Sequence, residues 1–317
     1  MGEVRLENGK RAIGSPKRPP MPLPPRSGGG HRGPAPFSLP HTAQIATLKL
    51  ATGVHLRNRG LELRWLDEEA RMFQLDGAKV VIIGGSAGMG LATARVAMEH
   101  GAAMAIAARN PSRLDAAAKD LEMRFGRTVA RRALHVEDRV AVRAFLEAEA
   151  PFDHLVLPGS TVNPTLYDDL TDGDARASFD SKFWGPFWAA FDARDLMRRG
   201  GSVVFFSGVA AERPVRGYVI GACINGALHA GVRSLALELG KLGLRCNVIS
   251  PSLVDTPLLD ALHALEKEKI TAALAARLPV GRIGRAEECA MAAMLLMCNH
   301  FMTGQVIGVD GGHLSIP

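Results

Sequence analysis

Lys79-Val80-Val81-Ile82-Ile83-Gly84-Gly85-Ser86-Ala87-Gly88-Met89-Gly90 is the stretch of sequence that decides the fold. Its four successive β-branched residues are typical of a strand that is buried on both faces. Glycines then interrupt the strand, and residues 91–98 place apolar side chains at helical spacing. This pattern predicts a strand, a tight turn and a helix whose N-terminal N–H groups face a pyrophosphate. Because glycine-rich turns also occur in ordinary loops, the rest of the chain must support this interpretation.

The spacing of the glycines resembles that of a known family. Gly84, Gly88 and Gly90 follow a G-x-x-x-G-x-G pattern that is similar to the turn of short-chain dehydrogenase/reductases, with Ile83 where that family usually has threonine. The resemblance implies a single α/β domain with a doubly wound parallel sheet, which is a Rossmann-like fold. It also implies that the turn binds the dinucleotide through Gly84, Ser86, Gly88, Met89 and Gly90.

The N-terminal part of the chain differs in composition from the rest. Residues 1–71 hold 12 of the 38 basic and 6 of the 32 acidic residues, which leaves 26 of each for residues 72–317. Nine of the nineteen prolines lie between Pro16 and Pro40. Such a segment buries too little apolar surface to offset its chain entropy. We therefore predict a largely disordered extension over 1–71 and one NAD(P)-binding domain over 72–317, with Met72 as an alternative natural start.

Charge and hydropathy argue against several classes of protein. Because the body of the chain is neutral, the sequence does not indicate nucleic-acid binding. It contains no run of 18 apolar residues and no apolar core of a secretory signal, so we expect no membrane span. The four cysteines form no C-x-x-C pair, which predicts no metal site and favours a reducing compartment, the cytoplasm. A transit peptide is the alternative for the basic leader, although its prolines oppose an amphipathic helix.

A second predicted strand, residues 102–108, ends where the adenosine ribose binds in the family. An acidic residue at that point accepts a hydrogen bond from the ribose 2′-OH and favours NAD, whereas an arginine can pair with a 2′-phosphate. Ala108 is followed by Arg109 and Asn110, so the sequence favours NADP(H) over NAD(H). The alternative is that Arg109 is a solvated arginine at a strand end.

Two further strands depart from the family pattern. The third predicted strand, residues 130–136, ends at Val136, a candidate cofactor contact, and has His135 where the family usually has an aspartate that touches the adenine. The fourth, residues 154–157, leads into Pro158-Gly159-Ser160 in place of the family's Asn-Asn-Ala-Gly. Because proline lacks the backbone N–H donor, this edge of the cofactor site must be built differently.

The C-terminal half resembles the family again. Residues 245–257 are similar to the strand and loop that face the nicotinamide, and they supply Pro251 and Thr256 as cofactor contacts, with Ser252 in place of the usual glycine. Residues 281–288 and 303–312 resemble the last helix and strand. Residues 252–280 are expected to form a lid over a partly apolar pocket for a small-molecule substrate.

All four residues that the family uses for catalysis are replaced. Members usually have a tyrosine acid, a lysine four residues later, a serine and an asparagine, because hydride transfer to a carbonyl leaves an alkoxide that must be stabilised and protonated. Counted back from Asn247, the lysine position falls on Asn225 and the tyrosine position on Gly221. The serine position then falls on Gly208 and the asparagine position on Lys182.

Lys182, Tyr218 and Asn225 are the candidates for a substitute catalytic group. A lysine on a helix that faces the cofactor cleft can be desolvated, which lowers its pKa towards neutrality. The alternative is that Lys182 pairs with Asp180 or remains solvated. Tyr218 has no lysine four residues later, so it is more simply interpreted as a packing ring.

Other polar residues near these positions are expected to be structural. In a regular strand Ser207 points to the opposite face from Gly208, so we do not expect it to replace the missing serine. Cys223 and His229 follow the tyrosine position on the same predicted helix, where core or interface roles are expected.

Three functions remain open from the sequence. The first is an NADP(H)-dependent oxidoreductase for a carbonyl or alcohol substrate, because loss of a general acid costs about 10²–10⁴-fold out of a far larger acceleration. The second is a catalytically inactive NADP-binding sensor or scaffold, and the third is a non-redox enzyme, such as a cyclase. We expect a homodimer or homotetramer that associates through helices around 175–198 and 221–240.

Overall fold

The computed structural model describes residues 73–159, 162, 164–257, 259 and 267–316. All of them belong to one of the two units into which the chain divides, Asn58–Pro317. The predicted extension over 1–71, the alternative start at Met72 and part of the predicted lid lie outside the described residues.

Seven parallel strands form the central sheet: β1 Lys79–Ile83, β2 Ala103–Ala108, β3 Val129–Ala133, β4 Phe152–Leu157, β5 Met197–Phe206, β6 Arg245–Pro251 and β9 Val306–Val309. Their order across the sheet is β3-β2-β1-β4-β5-β6-β9. Short strands β7 Val254–Asp255 and β8 Gly284–Arg285 pair separately. The strand order reverses between β1 and β4, so the predicted doubly wound sheet is confirmed. Ligands of such sheets bind at the carboxyl ends of the strands beside this reversal.

The described helices cover both faces of the sheet. They are α1 Gly88–Glu99, α2 Pro111–Phe125, α3 Arg139–Glu149, α4 Asp172–Phe179, α5 Gly185–Ala193, α6 Val219–Gly240, α7 Lys267–Ala275 and α8 Ala286–Cys298. Helices α1, α2 and α8 bury apolar residues on one face, while α3, α5 and α6 do so on the other. No helix within the described ranges is long and apolar enough to cross a membrane.

Two predicted boundaries shift in the structure. Helix α1 begins at Gly88, inside the glycine turn, rather than at residue 91. Strand β3 ends at Ala133, whereas the sequence predicted a strand to residue 136. Leu134 still donates to the carbonyl of Ala108, but the chain then leaves the ladder and Asp138 caps α3. Val136 therefore lies in the loop beyond the strand, at the carboxyl edge of the sheet.

Candidate active site

The glycine turn is shaped by close backbone contacts. Gly84 has a φ of +113° and Gly88 a φ of +52°, which are conformations that other residues rarely adopt. A Cβ on Gly90 would collide with the carbonyl oxygen of Gly84, so the start of α1 packs directly on the turn. A Cβ on Gly88 would lie 3.3 Å from the Thr256 side chain. The structure thus brings Thr256 to the turn.

This turn fits a dinucleotide pyrophosphate. The first N–H groups of α1 have no acceptor within the helix, and together with the helix dipole they favour an anion. Ser86 and Met89 are half-buried on the turn beside the glycines. Pro158, which replaces a family asparagine, packs 3.6 Å from a Cβ built on Gly84 and 3.1 Å from one on Gly90. The proline therefore fills this edge with an apolar ring instead of an amide.

Arg109 and Asn110 lie at the end of β2. Asn110 accepts a 2.9 Å hydrogen bond from the N–H of Arg113, so its side chain caps α2. Arg109 is exposed, and within the described part of the chain it has no hydrogen-bond or ion-pair partner. Its guanidinium is consequently available to an anion, whereas the oxygen of Asn110 is engaged.

The helix between α4 and α5 contains a π turn, Asp180–Trp184. Gly185 donates its N–H to the carbonyl of Asp180, five residues earlier. Pro186 explains the irregularity, because it lacks the N–H that would bond to the carbonyl of Lys182 in a regular helix. A Cβ on Gly185 would lie 2.8 Å from the carbonyl oxygen of Val136. The turn is therefore held tightly against the loop after β3.

Lys182 is buried by this π turn at the carboxyl edge of the sheet. Only 8% of the residue is exposed. Its Cγ would lie 3.6 Å from a Cβ on Gly159, which follows β4 and has a φ of +75°. The described residues give Lys182 no ion pair, so it does not pair with Asp180. Burial lowers the pKa of Lys182 to about 8.

The ring of Tyr218 lies over Gly221, the residue at the family's tyrosine position. The ring occupies the space into which a side chain on Gly221 would extend. Burial raises the pKa of the Tyr218 hydroxyl, which makes it a weaker acid. The ring also packs against the core on the α6 face of the sheet. These features favour the packing interpretation of Tyr218.

Asn225 and Gly208, at the lysine and serine positions, are in contact. Asn225 is 1% exposed, and its Nδ2 would lie 3.0 Å from a Cβ on Gly208. Its Oδ1 is buried and has no hydrogen-bond partner among the described residues. The carbonyl oxygen of Pro251, at the end of β6, would lie 3.6 Å from the same Cβ. Asn225 therefore fills the space beside Gly208 and retains an unused acceptor.

One polar chain near these residues was not predicted. Ser207 Oγ lies 2.7 Å from His229 Nε2, and His229 Nδ1 lies 3.4 Å from a carboxylate oxygen of Glu212. Ser207 also donates to the carbonyl of Ile249, and burial lowers the pKa of His229. These contacts among Ser207, His229 and Glu212 anchor the end of β5 to α6. The only sequence signal was the helical spacing of Gly221, Asn225 and His229.

The structure gathers most of the candidate residues at one edge of the sheet. Lys182, Tyr218, Asn225 and Pro251 all lie on or next to elements that begin or end there, as do the glycine turn and Thr256. Arg109 follows β2, the strand next to β1, where the adenosine end of a dinucleotide is expected. The arrangement has a glycine turn suited to a dinucleotide and one buried lysine at the same edge of the sheet.

Comparison with known proteins agrees with this fold. The family model described as Enoyl-(Acyl carrier protein) reductase matches residues 84–313. The short-chain dehydrogenase/reductase ATR9 of Stachybotrys chlorohalonatus is 31% identical over 249 residues, which cover 74% of this chain and 96% of that protein.

Two solved structures are similar as well. A short chain oxidoreductase from Pseudomonas aeruginosa PAO1, described as containing an atypical catalytic center, has a TM-score of 0.71 and 29% identity, covering 76% of this chain and 98% of that one. A small-chain dehydrogenase in complex with NADPH has a TM-score of 0.62 and 30% identity, covering 75% of this chain and 99% of that one. The chain therefore belongs to the short-chain dehydrogenase/reductase family of NAD(P)-dependent oxidoreductases.

Proposed function

We propose that the protein is an NADP(H)-dependent oxidoreductase for a carbonyl or alcohol substrate, with Lys182 as its acid and base. The observation that carries the proposal is the burial, at the carboxyl edge of the sheet, of a lysine that has no ion pair among the described residues and whose pKa is lowered to about 8. An acid of this pKa can both give and recover a proton near neutral pH. The family's tyrosine cannot act here, because Gly221 stands at its position.

The proposed chemistry balances with one proton from the protein. A bound nicotinamide would supply the hydride that adds to the carbonyl carbon. Lys182 donates one proton from Nζ to the carbonyl oxygen, and the product is an alcohol. Lys182 is left as a neutral amine, a form that its burial already favours. Solvent then returns the proton once the product leaves.

Asn225 is proposed as a supporting residue and Tyr218 as a wall of the site. The unpartnered Oδ1 of Asn225 can accept a hydrogen bond from a hydroxyl of substrate or cofactor. Tyr218 has a raised pKa and no neighbouring cation on the next helical turn. We therefore assign it to packing rather than proton transfer.

The preference for NADP(H) over NAD(H) is proposed from Arg109. Its guanidinium is exposed and unpaired among the described residues, at the strand end where a 2′-phosphate would lie. The NADPH complex of a structural relative is consistent with this preference. The turn residues Gly84, Ser86, Gly88, Met89 and Gly90, with Asn110, Val136, Pro251 and Thr256, are proposed as the remaining cofactor contacts.

Single-turnover absorbance with the full chain tests the function. Protein saturated with NADPH is mixed with pooled aldehydes and ketones, and we expect oxidation of the bound cofactor. Lys182→Met should bind NADPH normally but turn over about 10²–10⁴-fold more slowly. Lys241→Met, at an exposed lysine, is the matched control and should react like the wild type.

The same measurement decides against the rival function. The rival, a catalytically inactive NADP-binding sensor or scaffold, is favoured by the replacement of all four family positions. Tight NADPH binding without oxidation across the panel would replace our proposal with this rival. Turnover that Lys182→Met leaves unchanged would keep the oxidoreductase and remove Lys182 as its acid.

Assembly and location are proposed on separate grounds. Trp184, Phe191 and Leu237 are exposed on the π turn, α5 and α6, which are the helices expected to form a homodimer or homotetramer.

We propose 72–317 as the NADP(H)-binding domain and the cytoplasm as its compartment. Burial raises the pKa of the Cys246 and Cys289 thiols to about 12, which suits a protein with unreactive core thiols.

A further inference from the structure

A cavity of about 240 Å³ lies between the loops that follow β4 and β5. The N–H of Thr165 donates a 2.7 Å hydrogen bond to the carbonyl of Gly217, and this bond joins the two loops. The cavity has room for about eight water molecules, so it suits a small molecule. Its described lining consists of Val162, Thr165, Leu170, Asp174, Ala177, Ser178, Ser181, Gly217, Tyr218 and Ile220.

Two lining residues connect this cavity to the proposed site. Ser181, in its lining, directly precedes Lys182 on the π turn. Tyr218, also in the lining, is the ring that covers Gly221. A substrate whose carbonyl reaches Lys182 would therefore extend its remaining atoms into the cavity.

The lining offers apolar contacts and the hydroxyl of Ser178. Leu170, Ile220 and the Tyr218 ring supply apolar surface. The hydroxyl of Ser178 has no hydrogen-bond partner among the described residues, and the Ser181 hydroxyl donates to the backbone carbonyl of Ser178. An apolar skeleton that carries a hydroxyl group would match both features.

The charge of the lining is acidic. Asp174 is its only charged residue within the described ranges, and it accepts a 2.6 Å hydrogen bond from Thr171. Along the surrounding segment Asp168, Asp169, Asp172, Asp174 and Asp180 stand against a single cation, Arg176. That arginine is paired with Asp172 at 2.7 Å. Lys182 and Arg216 are neighbours of the lining residues Ser181 and Gly217 but do not belong to the described lining, so Asp174 is the charge that an anionic group inside the cavity would meet.

We propose that the substrate is an uncharged, hydroxyl-bearing carbonyl compound, held by Ser178 and by the apolar wall, and that Asp174 excludes carboxylates and phosphates. The inference rests on the proposed function, since it names the substrate class of that site. The substrate class can be tested separately from the oxidoreductase function, because selective binding of a ligand does not depend on proton transfer by Lys182.

Binding to the NADP⁺-loaded full chain tests the class without turnover. Calorimetric titration compares three ketones that share one ring: 3-(hydroxymethyl)cyclohexanone, 3-ethylcyclohexanone and 3-oxocyclohexanecarboxylate. We expect the hydroxymethyl compound to bind about threefold more tightly than the ethyl compound and about tenfold more tightly than the carboxylate. Equal or tighter binding of the carboxylate, or no binding of any of the three, would overturn the inference.

Variants assign each preference to a side chain. Ser178→Ala should abolish the advantage of the hydroxymethyl compound over the ethyl compound. Asp174→Asn, which keeps an acceptor for Thr171, should tighten binding of the carboxylate about three- to tenfold and leave the neutral ketones unchanged. Asp169→Asn, an exposed acid of the same segment outside the cavity, is the control. Unchanged ratios in both test variants would contradict the proposal.

Turnover then separates the two claims. If the binding ratios hold but NADPH is not oxidised by the hydroxymethyl ketone, the oxidoreductase function fails and the ligand class stands. If NADPH is oxidised but the carboxylate is preferred, the function stands and the ligand class fails.

Discussion

The ring of Tyr218 covers Gly221 so closely that any side chain at position 221 would have to displace the ring. Gly217, with a φ of +74°, turns the chain immediately before Tyr218. Helix α6 then begins one residue after the ring. The family's tyrosine position is thus closed as well as substituted, and a substitution of Gly221 alone cannot restore the family's acid.

Gly221→Ala should destabilise the protein, although glycine to alanine usually stabilises a helix by about 1 kcal/mol. The added methyl group must displace the Tyr218 ring, and such overpacking costs about 1–3 kcal/mol. Urea unfolding measures the difference. In a Tyr218→Ala background the same change should instead stabilise the protein. If Gly221→Ala is stabilising in both backgrounds, the ring does not lie over Gly221.

Because of Lys182, the free energy of unfolding should change with pH in the alkaline range. Because its pKa falls from 10.5 to about 8 on burial, the unfolded chain binds more protons between these values, and stability rises with pH across that window. At pH 7 the burial costs up to about 3 kcal/mol. Lys182→Met should remove this cost at pH 7 and give a smaller gain at pH 10.

Urea unfolding at both pH values checks this expectation, with Lys241→Met as the control. Lys241 is exposed and paired with Glu238 at 2.8 Å, so its replacement should change stability by less than about 1 kcal/mol at either pH. A Lys182→Met variant whose gain is equal at pH 7 and pH 10 would show that the lysine is not desolvated.

The fold could be predicted because its signals are local. The β-branched run of β1 and the glycines after it lie within twelve residues, and β2, β4, β5 and β9 each contain a short apolar run. The end of β3 was misplaced because residues 134–136 are compatible with a strand, while Asp138 competes by capping the next helix.

The site could be predicted only in part, because its contacts join distant segments. Family spacing identified Lys182 and Gly221 as replaced positions. It could not show that Pro186 produces a π turn, that Lys182 packs on Gly159, or that Tyr218 covers Gly221. These relationships depend on backbone geometry and on residues that are far apart in the sequence.

Gly90→Ala should both destabilise the protein and weaken NADPH binding. The added Cβ would collide with the carbonyl oxygen of Gly84 and crowd Pro158, so the turn must open by an amount that costs about 1–3 kcal/mol.

Gly226→Ala is the matched control, because no atom lies within 4 Å of its Cβ position in α6. The control should be stabilised by about 0.5–1 kcal/mol. Fluorescence titration with NADPH and urea unfolding measure both effects, and normal cofactor binding by Gly90→Ala would place the dinucleotide elsewhere.

A Trp184→Glu/Leu237→Glu variant should lose the proposed oligomer. These side chains are 43% and 74% exposed on the two helices expected at the interface, and burial of each contributes about 1.5–3 kcal/mol. Met123→Glu, at a methionine that is 83% exposed on α2, is the control and should keep the wild-type mass. Light scattering after size-exclusion chromatography measures the mass. A wild-type monomer at micromolar concentration would refute the assembly.

Arg109→Asp should exchange the cofactor preference. Hydrogen bonds to a charged group contribute about 1.5–3 kcal/mol, so loss of the guanidinium should weaken NADPH binding about ten- to a hundredfold. The new carboxylate can accept from a ribose 2′-OH, and NADH should bind at least as well as before. Arg124→Asp, at the far end of α2, is the control and should leave both affinities unchanged. If Arg109→Asp still prefers NADPH, then the 2′-phosphate is bound by other residues.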